Sequence, residues 1–166
     1  MKIIIADSST LITLLDTNNF SLLFELFEEI IITDEVYDEI TYNLYHKEKI
    51  DNYLSLRKLT LIAIEHGDMY EMLRKRLDVG ESESIALAKK LQLPLIIDER
   101  KGRKVAQSLG IDIIGFVGII LKLLEKEIIS KNRAVEIVEQ VEENNFRLSD
   151  GLKRLIYNFG VYPFTN

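Results

Sequence analysis

The chain has 166 residues, a hydrophobic content of 47%, a formal net charge of −6 at pH 7 and no cysteine. Its size predicts one globular domain over residues 1–166 with a single hydrophobic core. The absence of cysteine excludes disulfides and thiolate metal ligands, which fits a reducing cytoplasm. The acidic balance argues against a general nucleic-acid coat, because phosphate binding usually leaves a basic footprint.

The apolar stretches of the chain are too short to cross a membrane. The longest, residues 113–121, falls far below the roughly 20 residues that a spanning helix needs. At the N-terminus Asp7 interrupts the apolar run after a few residues and no small-residue cleavage site follows, so this run is expected to be the first strand rather than a secretory signal. We therefore expect a soluble cytoplasmic protein.

Hydrophobic periodicity predicts strands and helices in alternation along the chain. Short apolar strands separated by helices indicate a parallel sheet covered on both faces, a three-layer α/β/α sandwich with five strands. The strands are expected at Lys2–Ala6, Ile30–Ile32, Leu59–Ile64, Leu95–Ile97 and Ile111–Ile114.

The C-terminal third, from about Phe116 onward, is predicted to be almost all helix and to pack on the domain. Ser130 and Ser149 are the expected N-caps of two of these helices, and Gly160 is an expected terminator. Two apolar stripes favour core packing, with a lid over the sheet as the alternative for the later stripe and a dimer contact as the alternative for the earlier one. They are Phe20, Leu23, Phe24 and Phe27, and Ile128, Val135, Val138 and Val141.

Two carboxylates stand directly after buried strands. Asp7 follows the first strand and Asp98 follows the fourth. Because the carboxyl ends of parallel strands line one crevice, where ligands usually bind, we expect both acids to lie at a functional site.

A third acid is selected by helical geometry in the segment after the second strand. Thr33 is expected to cap a helix whose buried stripe is Val36, Ile40 and Leu44. At about 100° per residue, Glu39 lies beside that stripe. Glu39 is therefore the candidate of this helix.

The same geometry selects a fourth acid in the helix that begins near Gly80. Glu81 shares a face with Ile85 and Ala88, whereas Glu83 lies nearly opposite and is expected to be solvated. Glu81 is the better candidate for the site, although a role in complementing the helix dipole would also place an acid there.

The four candidate catalytic acids would repel one another if they converged. Two like charges about 4 Å apart cost roughly 4 kcal/mol at an effective dielectric of 20, so a cation or protons must accompany them. Carboxylates without histidine or cysteine select Mg²⁺ or Mn²⁺. Such an ion would polarise a phosphoryl oxygen and activate a bound water, which is the chemistry of phosphodiester hydrolysis. The four acids are Asp7, Glu39, Glu81 and Asp98.

In order and spacing, these segments resemble the PIN-domain family of metal-dependent endoribonucleases, which includes the VapC-type toxins of toxin-antitoxin pairs. The resemblance covers nearly the whole chain and implies a parallel sheet in the order 3-2-1-4-5, Mg²⁺ or Mn²⁺ binding, RNA cleavage, frequent dimerisation and, for a toxin, an antitoxin partner. The segments that carry it are IIIADSSTLI, ITDEVYDEI, GESESIALA and LIIDERKGRKVAQSLGIDIIG.

The resemblance also assigns roles to individual residues. It implies that Asp7, Glu81 and Asp98 bind the metal, that Glu39 completes the catalytic set, and that Ser9 supports it. The chain departs from the family pattern in having Glu81 where aspartate is commoner and Phe116 where a small polar residue often follows the fifth strand's glycine. Glu99 is a rival to Asp98, and Glu83 a rival to Glu81.

Some roles stay open between two interpretations. The Ser9 hydroxyl either holds a carboxylate or metal-bound water or caps the first helix. His46 and His66 lie outside the acid motifs and are expected to be surface or capping residues. One basic cluster predicts either contacts to an RNA backbone or a solvated helix face, and it consists of Arg100, Lys101, Arg103 and Lys104.

The expected function is a Mg²⁺- or Mn²⁺-dependent endoribonuclease, and the resemblance includes the toxin of a toxin-antitoxin pair as one role for it. The alternative is a PIN-like module that binds RNA or protein and no longer cuts. A phosphoaspartyl phosphatase would need a second aspartate where Ser9 stands, and a receiver domain would need a lysine after the fifth strand, where Gly115 and Phe116 stand instead.

Overall fold

The computed structural model describes residues 2–161. Its strands are β1 (Ile3–Ala6), β2 (Glu29–Thr33), β3 (Leu59–Ile62), β4 (Leu95–Ile96) and β5 (Ile113–Ile114). Its α-helices are α1 (Ser8–Asp16), α2 (Asp34–Thr41), α3 (Leu44–Ser55), α4 (Asp68–Arg74), α5 (Val79–Leu91), α6 (Arg100–Ser108), α7 (Phe116–Glu125), α8 (Lys131–Glu143) and α9 (Asp150–Tyr157), and Phe20–Glu25 forms a 3-10 helix.

The strands form one parallel sheet in the order β3-β2-β1-β4-β5. The expected order is therefore confirmed. β1 lies at the centre and pairs with β2 through Ile4 opposite Ile30 and with β4 through Ala6 opposite Ile96. Because β1 and β4 are neighbours, the residues that follow them leave the same edge of the sheet side by side.

Two strands, β3 and β5, are each two residues shorter than the sequence predicts, and pairing explains why. β3 ends at Ile62 rather than Ile64 because its partner β2 ends at Thr33, the residue that pairs with Ile62. β5 begins at Ile113 rather than Ile111 because β4, its neighbour in the sheet, pairs through Leu95 and Ile96 alone. An edge strand extends only as far as its neighbour supplies hydrogen-bond partners.

Alternate residues of each strand enter hydrophobic clusters on opposite faces of the sheet, as the pleat requires. Ile4 and Ile30 belong to a cluster with α1, α7 and α8, whereas Ile5 and Ile31 belong to a cluster with α4, α5 and α6. The three-layer α/β/α architecture is thus confirmed. The helices after Phe116 pack on the first of these faces.

Local capping sets several helix boundaries as expected. Thr33, Ser130 and Ser149 each cap a helix through a side-chain oxygen that accepts a backbone N–H, and Gly160 follows α9 with a φ of 73°. One expectation is wrong. α2 ends at Thr41, because the side chain of Asn43 caps a new helix, and Leu44 is 79% exposed rather than part of a buried stripe.

The predicted apolar stripes lie mainly in the core. Phe20, Leu23, Val138 and Val141 are buried in the first cluster, which confirms core packing for both stripes. Within residues 2–161, no helix combines the length and the apolar character needed to cross a bilayer.

Candidate active site

A cleft of about 410 Å³ opens at the carboxyl edge of the sheet. Asp7 leaves β1 and Asp98 follows β4, and both side chains line this cleft, as the strand pattern predicts. Asp7 is only 4% exposed. The cleft is lined by Asp7, Ser8, Ser9, Asp78, Glu81, Asp98, Glu99, Asn145, Phe146, Arg147, Leu148 and Leu152.

Glu81 reaches the cleft from the first turn of α5. Asp78 caps this helix by accepting a hydrogen bond from the Glu81 backbone N–H at 2.8 Å, and Oε2 of Glu81 accepts one from the Asp78 N–H at 3.4 Å. One carboxylate oxygen of Glu81 therefore closes a capping box, which agrees with a local role at the helix start. The other oxygen, Oε1, is buried without a hydrogen-bond partner.

Two glycines allow helices to approach the acids closely. A Cβ atom at position 80 would lie 2.7 Å from Oε1 of Glu39, and one at position 102 would lie 2.7 Å from Oε1 of Glu81. Both distances are shorter than a carbon and an oxygen atom tolerate. Gly80 and Gly102 therefore place the backbones of α5 and α6 against carboxylates, a feature that the acid motifs alone did not reveal.

Asp98 is held in a fixed orientation from two directions. The hydroxyl of Thr10 donates to Oδ2, and the Phe116 N–H lies 3.0 Å from Oδ1 and 3.1 Å from Oδ2. The pKa of Asp98 lies above its ordinary value because burial disfavours the charged form. These two hydrogen bonds and the guanidinium of Arg103 act against that rise. Gly115 makes room for this arrangement, since a Cβ there would lie 2.5 Å from Oδ1.

Glu39 lies beside the cleft rather than in its lining. It belongs to α2, and the Ser8 hydroxyl donates a hydrogen bond to its Oε2. Burial raises the pKa of Glu39, and the Ser8 hydrogen bond opposes that rise. The structure therefore brings three of the four predicted acids into one cleft and links the fourth to it through Ser8.

The predicted role of Ser9 falls to its two neighbours in the structure. Ser8 and Thr10 hold Glu39 and Asp98, whereas Ser9 lines the cleft and its hydroxyl oxygen is buried without a hydrogen-bond partner. Ser9 does not cap α1 either, because the N-cap position is Asp7.

The acids of the cleft feel one another's charge. Asp7 has its pKa raised to about 7, chiefly because burial disfavours the charged form, and repulsion by Glu81 and Glu39 adds to the rise. Glu81 has its pKa raised to about 6, first by burial and then by the charge of Asp78, with Glu99 and Glu39 contributing. Perturbed carboxylates clustered in a cleft are typical of a functional site.

The two rival acids differ in position. Glu99 lines the cleft, as Asp98 does. Glu83 does not, and the expectation that it is solvated is wrong, because it is only 7% exposed and its Oε1 lies 2.7 Å from Nε2 of His66. The geometry therefore favours Glu81 over Glu83 as the cleft acid.

His46 also differs from its predicted surface position. It is 4% exposed, and its Nε2 lies 2.8 Å from Oδ1 of Asp16. His66 is exposed, as expected, and its ring stacks on Tyr70 with 3.6 Å between centroids. Neither histidine lines the cleft.

The predicted basic cluster lies on α6, outside the lining of the acidic cleft. Arg100, Lys101 and Lys104 are exposed, whereas Arg103 is half-buried and its Nη1 donates to the Ile97 carbonyl oxygen at 2.9 Å. The cation that lines the cleft in the described chain is Arg147, which precedes α9. Sequence analysis missed it because a lone arginine far along the chain carries no local signal.

The donor atoms at the cleft fit a hard divalent cation in their chemistry. They are carboxylate oxygens, and the unpartnered Oε1 of Glu81 is one of them. In residues 2–161, no three Asp, Glu, His or Cys side chains stand together as a complete metal-binding group in their present conformations. Binding an ion at Asp7, Glu81 and Asp98 would therefore require these side chains to adjust.

Comparison with known proteins agrees with this architecture. A family model described as a PIN domain matches residues 3–158, and the chain belongs to the PIN-domain family. PIN domains are generally nucleases and typically use divalent metals. The sequence resemblance is thereby confirmed at the level of the family.

One solved structure with a similar chain is a PilT N-terminus domain protein from the hyperthermophilic archaeon Sulfolobus solfataricus P2. It is 18% identical in sequence with a TM-score of 0.46, and the match covers 90% of this chain and 98% of that one. No curated protein matches this chain significantly.

Proposed function

We propose that this protein is a Mg²⁺- or Mn²⁺-dependent endoribonuclease that hydrolyses RNA phosphodiester bonds in the acidic cleft. The observation that carries the proposal is the arrival of Asp7, Glu81 and Asp98 at one cleft on the carboxyl edge of a PIN-type sheet. The raised pKa values of Asp7 and Glu81 support it, because they reflect a shortage of positive charge that a dication would relieve.

In this proposal Asp7, Glu81 and Asp98 hold the ion. When bound, such an ion supplies Lewis-acid polarisation of a phosphoryl oxygen and lowers the pKa of a water molecule. Thr10 and the Phe116 N–H keep Asp98 in one orientation, so that its carboxylate is positioned in advance. Glu81 would contribute a carboxylate oxygen, and its Oε1 has no hydrogen-bond partner that an ion would have to displace.

In this proposal Glu39 influences the cleft acids through its negative charge, and the hydroxyl of Ser8, a residue of α1 that lines the cleft, holds its carboxylate by a hydrogen bond. Glu39 adds to the negative potential at Asp7 and Glu81, which increases the demand for a cation. Since no histidine lines the cleft in the described part of the chain, a carboxylate has to orient the attacking water.

The proposal is tested by RNA cleavage with a matched pair of aspartate variants. Labelled structured RNA is incubated with native protein, Asp7→Asn and Asp112→Asn in Mn²⁺, and with native protein in chelator. Asp112 is an exposed acid at the opposite edge of the sheet, just before β5. We expect native protein and Asp112→Asn to cleave, and Asp7→Asn and the chelated sample to be slower by about a hundredfold or more. Equal rates in all samples would remove the nuclease proposal.

One observation favours the competing function, a PIN-like module that binds RNA or protein without cutting. Both oxygens of Asp98 already accept hydrogen bonds from within the chain. If that function is correct, native protein binds RNA or a protein partner yet leaves RNA intact under all of the conditions above.

The biological setting that we propose is that of a toxin in a toxin-antitoxin pair, acting in the cytoplasm as a homodimer. An antitoxin would place a basic side chain in the acidic cleft. A neighbouring gene for a small protein that copurifies with this chain supports the setting, and its absence contradicts it. Light scattering of the purified protein tests the homodimer.

A further inference from the structure

The wall of the cleft that faces the acids comes from the C-terminal part of the chain. We call residues 145–148, between α8 and α9, the C-terminal wall segment. All four of its residues line the cleft: Asn145, Phe146, Arg147 and Leu148. The strands and helices that supply the acids lie more than 45 residues earlier, so the segment reaches the site only through tertiary packing.

Two contacts fix the position of the C-terminal wall segment. The ring of Phe146 packs against Phe116 with 5.3 Å between centroids, and the Phe146 N–H donates to the Val141 carbonyl oxygen at 2.9 Å. Phe116 is also the residue whose N–H binds Asp98. The segment and the acid at the end of β4 are thus tied to the same residue.

Arg147 is the only positively charged side chain among the described residues that line the cleft. The acids of the lining carry five negative charges when ionised, and Arg147 carries its one positive charge. Arg147 is exposed and has no ion-pair or hydrogen-bond partner within residues 2–161. Its five N–H donors are therefore available to a ligand. The lining acids are Asp7, Asp78, Glu81, Asp98 and Glu99.

We propose that Arg147 binds an RNA phosphate adjacent to the bond that is cut, so that the C-terminal wall segment forms the substrate-binding side of the cleft. The guanidinium fork suits a phosphate, which it binds through two parallel hydrogen bonds. Asn145, which is exposed, lines the same cleft and offers a further polar contact. This inference rests on the proposed function and identifies the residue that recognises the substrate backbone.

RNA is favoured over an acidic peptide by the charge of the cleft. A nucleic-acid phosphate arrives with divalent ions that offset the carboxylates, whereas a peptide carboxylate would add to a cleft that already holds five acids.

The test measures RNA affinity in an Asp7→Asn background, where cleavage does not interfere. Arg147→Gln is compared with Arg57→Gln, a matched change at an exposed arginine that precedes β3 at the opposite edge of the sheet. We expect Arg147→Gln to weaken binding about tenfold or more, while Arg57→Gln leaves it unchanged. Arg147→Lys restores part of the affinity because it retains the charge.

Salt dependence separates a phosphate contact from a merely structural effect. Loss of one contact to single-stranded RNA makes the slope of log Kobs against log salt concentration shallower by about 0.7. We expect this change in Arg147→Gln but not in Arg147→Lys or Arg57→Gln. Equal melting temperatures would show that the variants are folded. If Arg147→Gln matches Arg57→Gln in affinity and slope, the inference is overturned.

Cleavage by the protein with Asp7 intact distinguishes failure of this inference from failure of the proposed function. We expect Arg147→Gln to raise KM about tenfold with a smaller effect on kcat. Cleavage with the KM of native protein overturns the role of Arg147 and leaves the nuclease standing. Arg147-dependent binding without cleavage by native protein supports Arg147 and refutes the nuclease. If native protein neither binds nor cleaves RNA, the nuclease proposal and the role of Arg147 are both refuted. Binding of an acidic peptide but not of RNA would refute them as well.

Discussion

The hydroxyl of Thr10 donates a hydrogen bond to Oδ2 of Asp98. It connects the first turn of α1 to the acid that follows β4, 88 residues further along the chain. Thr10 is buried and Asp98 is half-buried, so the carboxylate gains a partner in place of water that it loses on folding.

Replacing Thr10 by valine is expected to lower the free energy of unfolding by about 1–3 kcal/mol, because it removes a hydrogen bond to the half-buried Asp98 carboxylate. A double-mutant cycle with Asp98→Asn isolates the interaction. Urea denaturation of the native, two single-variant and double-variant proteins measures it. A coupling energy near zero would show that the two side chains do not stabilise each other.

Stability without metal is expected to fall as the pH rises from about 4 to 7. The unfolded chain loses the proton of Asp7 near its ordinary pKa of 3.8, whereas the folded protein keeps it to about 7. Folding therefore becomes less favourable across that window and levels off above it. Between pH 5 and 8, ionisation of Asp7 is expected to lower the free energy of unfolding by about 2–3 kcal/mol.

Asp7→Asn is expected to reduce this pH dependence to the part that Glu81 contributes, and to melt at a higher temperature than native protein at pH 8 in chelator. The cause is relief of burial and of repulsion by Glu81 and Glu39. Asp112→Asn, the matched exposed change, should follow native protein. A variant at Asp7 that melts at or below the native temperature would contradict the crowding of negative charge at this site.

Mn²⁺ or Mg²⁺ is expected to raise the melting temperature of native protein in proportion to the logarithm of ion concentration once the site is filled. Asp7→Asn and Glu81→Gln should lose most of that response, and Asp112→Asn should keep it. A thermal-shift titration provides the measurement. Equal responses in all four proteins would place the ion elsewhere.

Two glycine substitutions on helices are expected to act in opposite directions. Gly102→Ala should destabilise the protein by about 1–3 kcal/mol, since its Cβ would lie 2.5 Å from the Ile97 side chain and 2.7 Å from Glu81. Gly151→Ala in α9 should stabilise it slightly, because no atom closer than 4.0 Å crowds that position and alanine favours a helix. Guanidinium unfolding of both variants checks the signs, and a stabilising Gly102→Ala would refute the close approach.

The strand pattern was enough to predict the sheet and the two acids at its edge. Asp7 and Asp98 each follow an apolar strand, and parallel pairing brings such positions together whatever the details of packing. Helical periodicity likewise separated Glu81 from Glu83. It gave the wrong surroundings for Glu83, because the partner that covers it, His66, comes from a loop that no periodicity describes.

The contacts between side chains at the site depended on details that local patterns do not contain. α1 begins at Ser8, and that start directs Ser8 and Thr10, rather than Ser9, toward the carboxylates. Gly102 and Arg147 came to the site through packing between elements distant in sequence. A shift of one residue at a helix start changes which side chains face a cleft by about 100°.

We propose that Asp7, Glu81 and Asp98 bind a divalent cation in the cleft, and the nuclease depends on that ion. Anomalous diffraction from crystals soaked in Mn²⁺ tests it most directly. We expect one anomalous peak bound by carboxylate oxygens of these three residues. A well-ordered cleft without a peak, or a peak held by other residues, would contradict it.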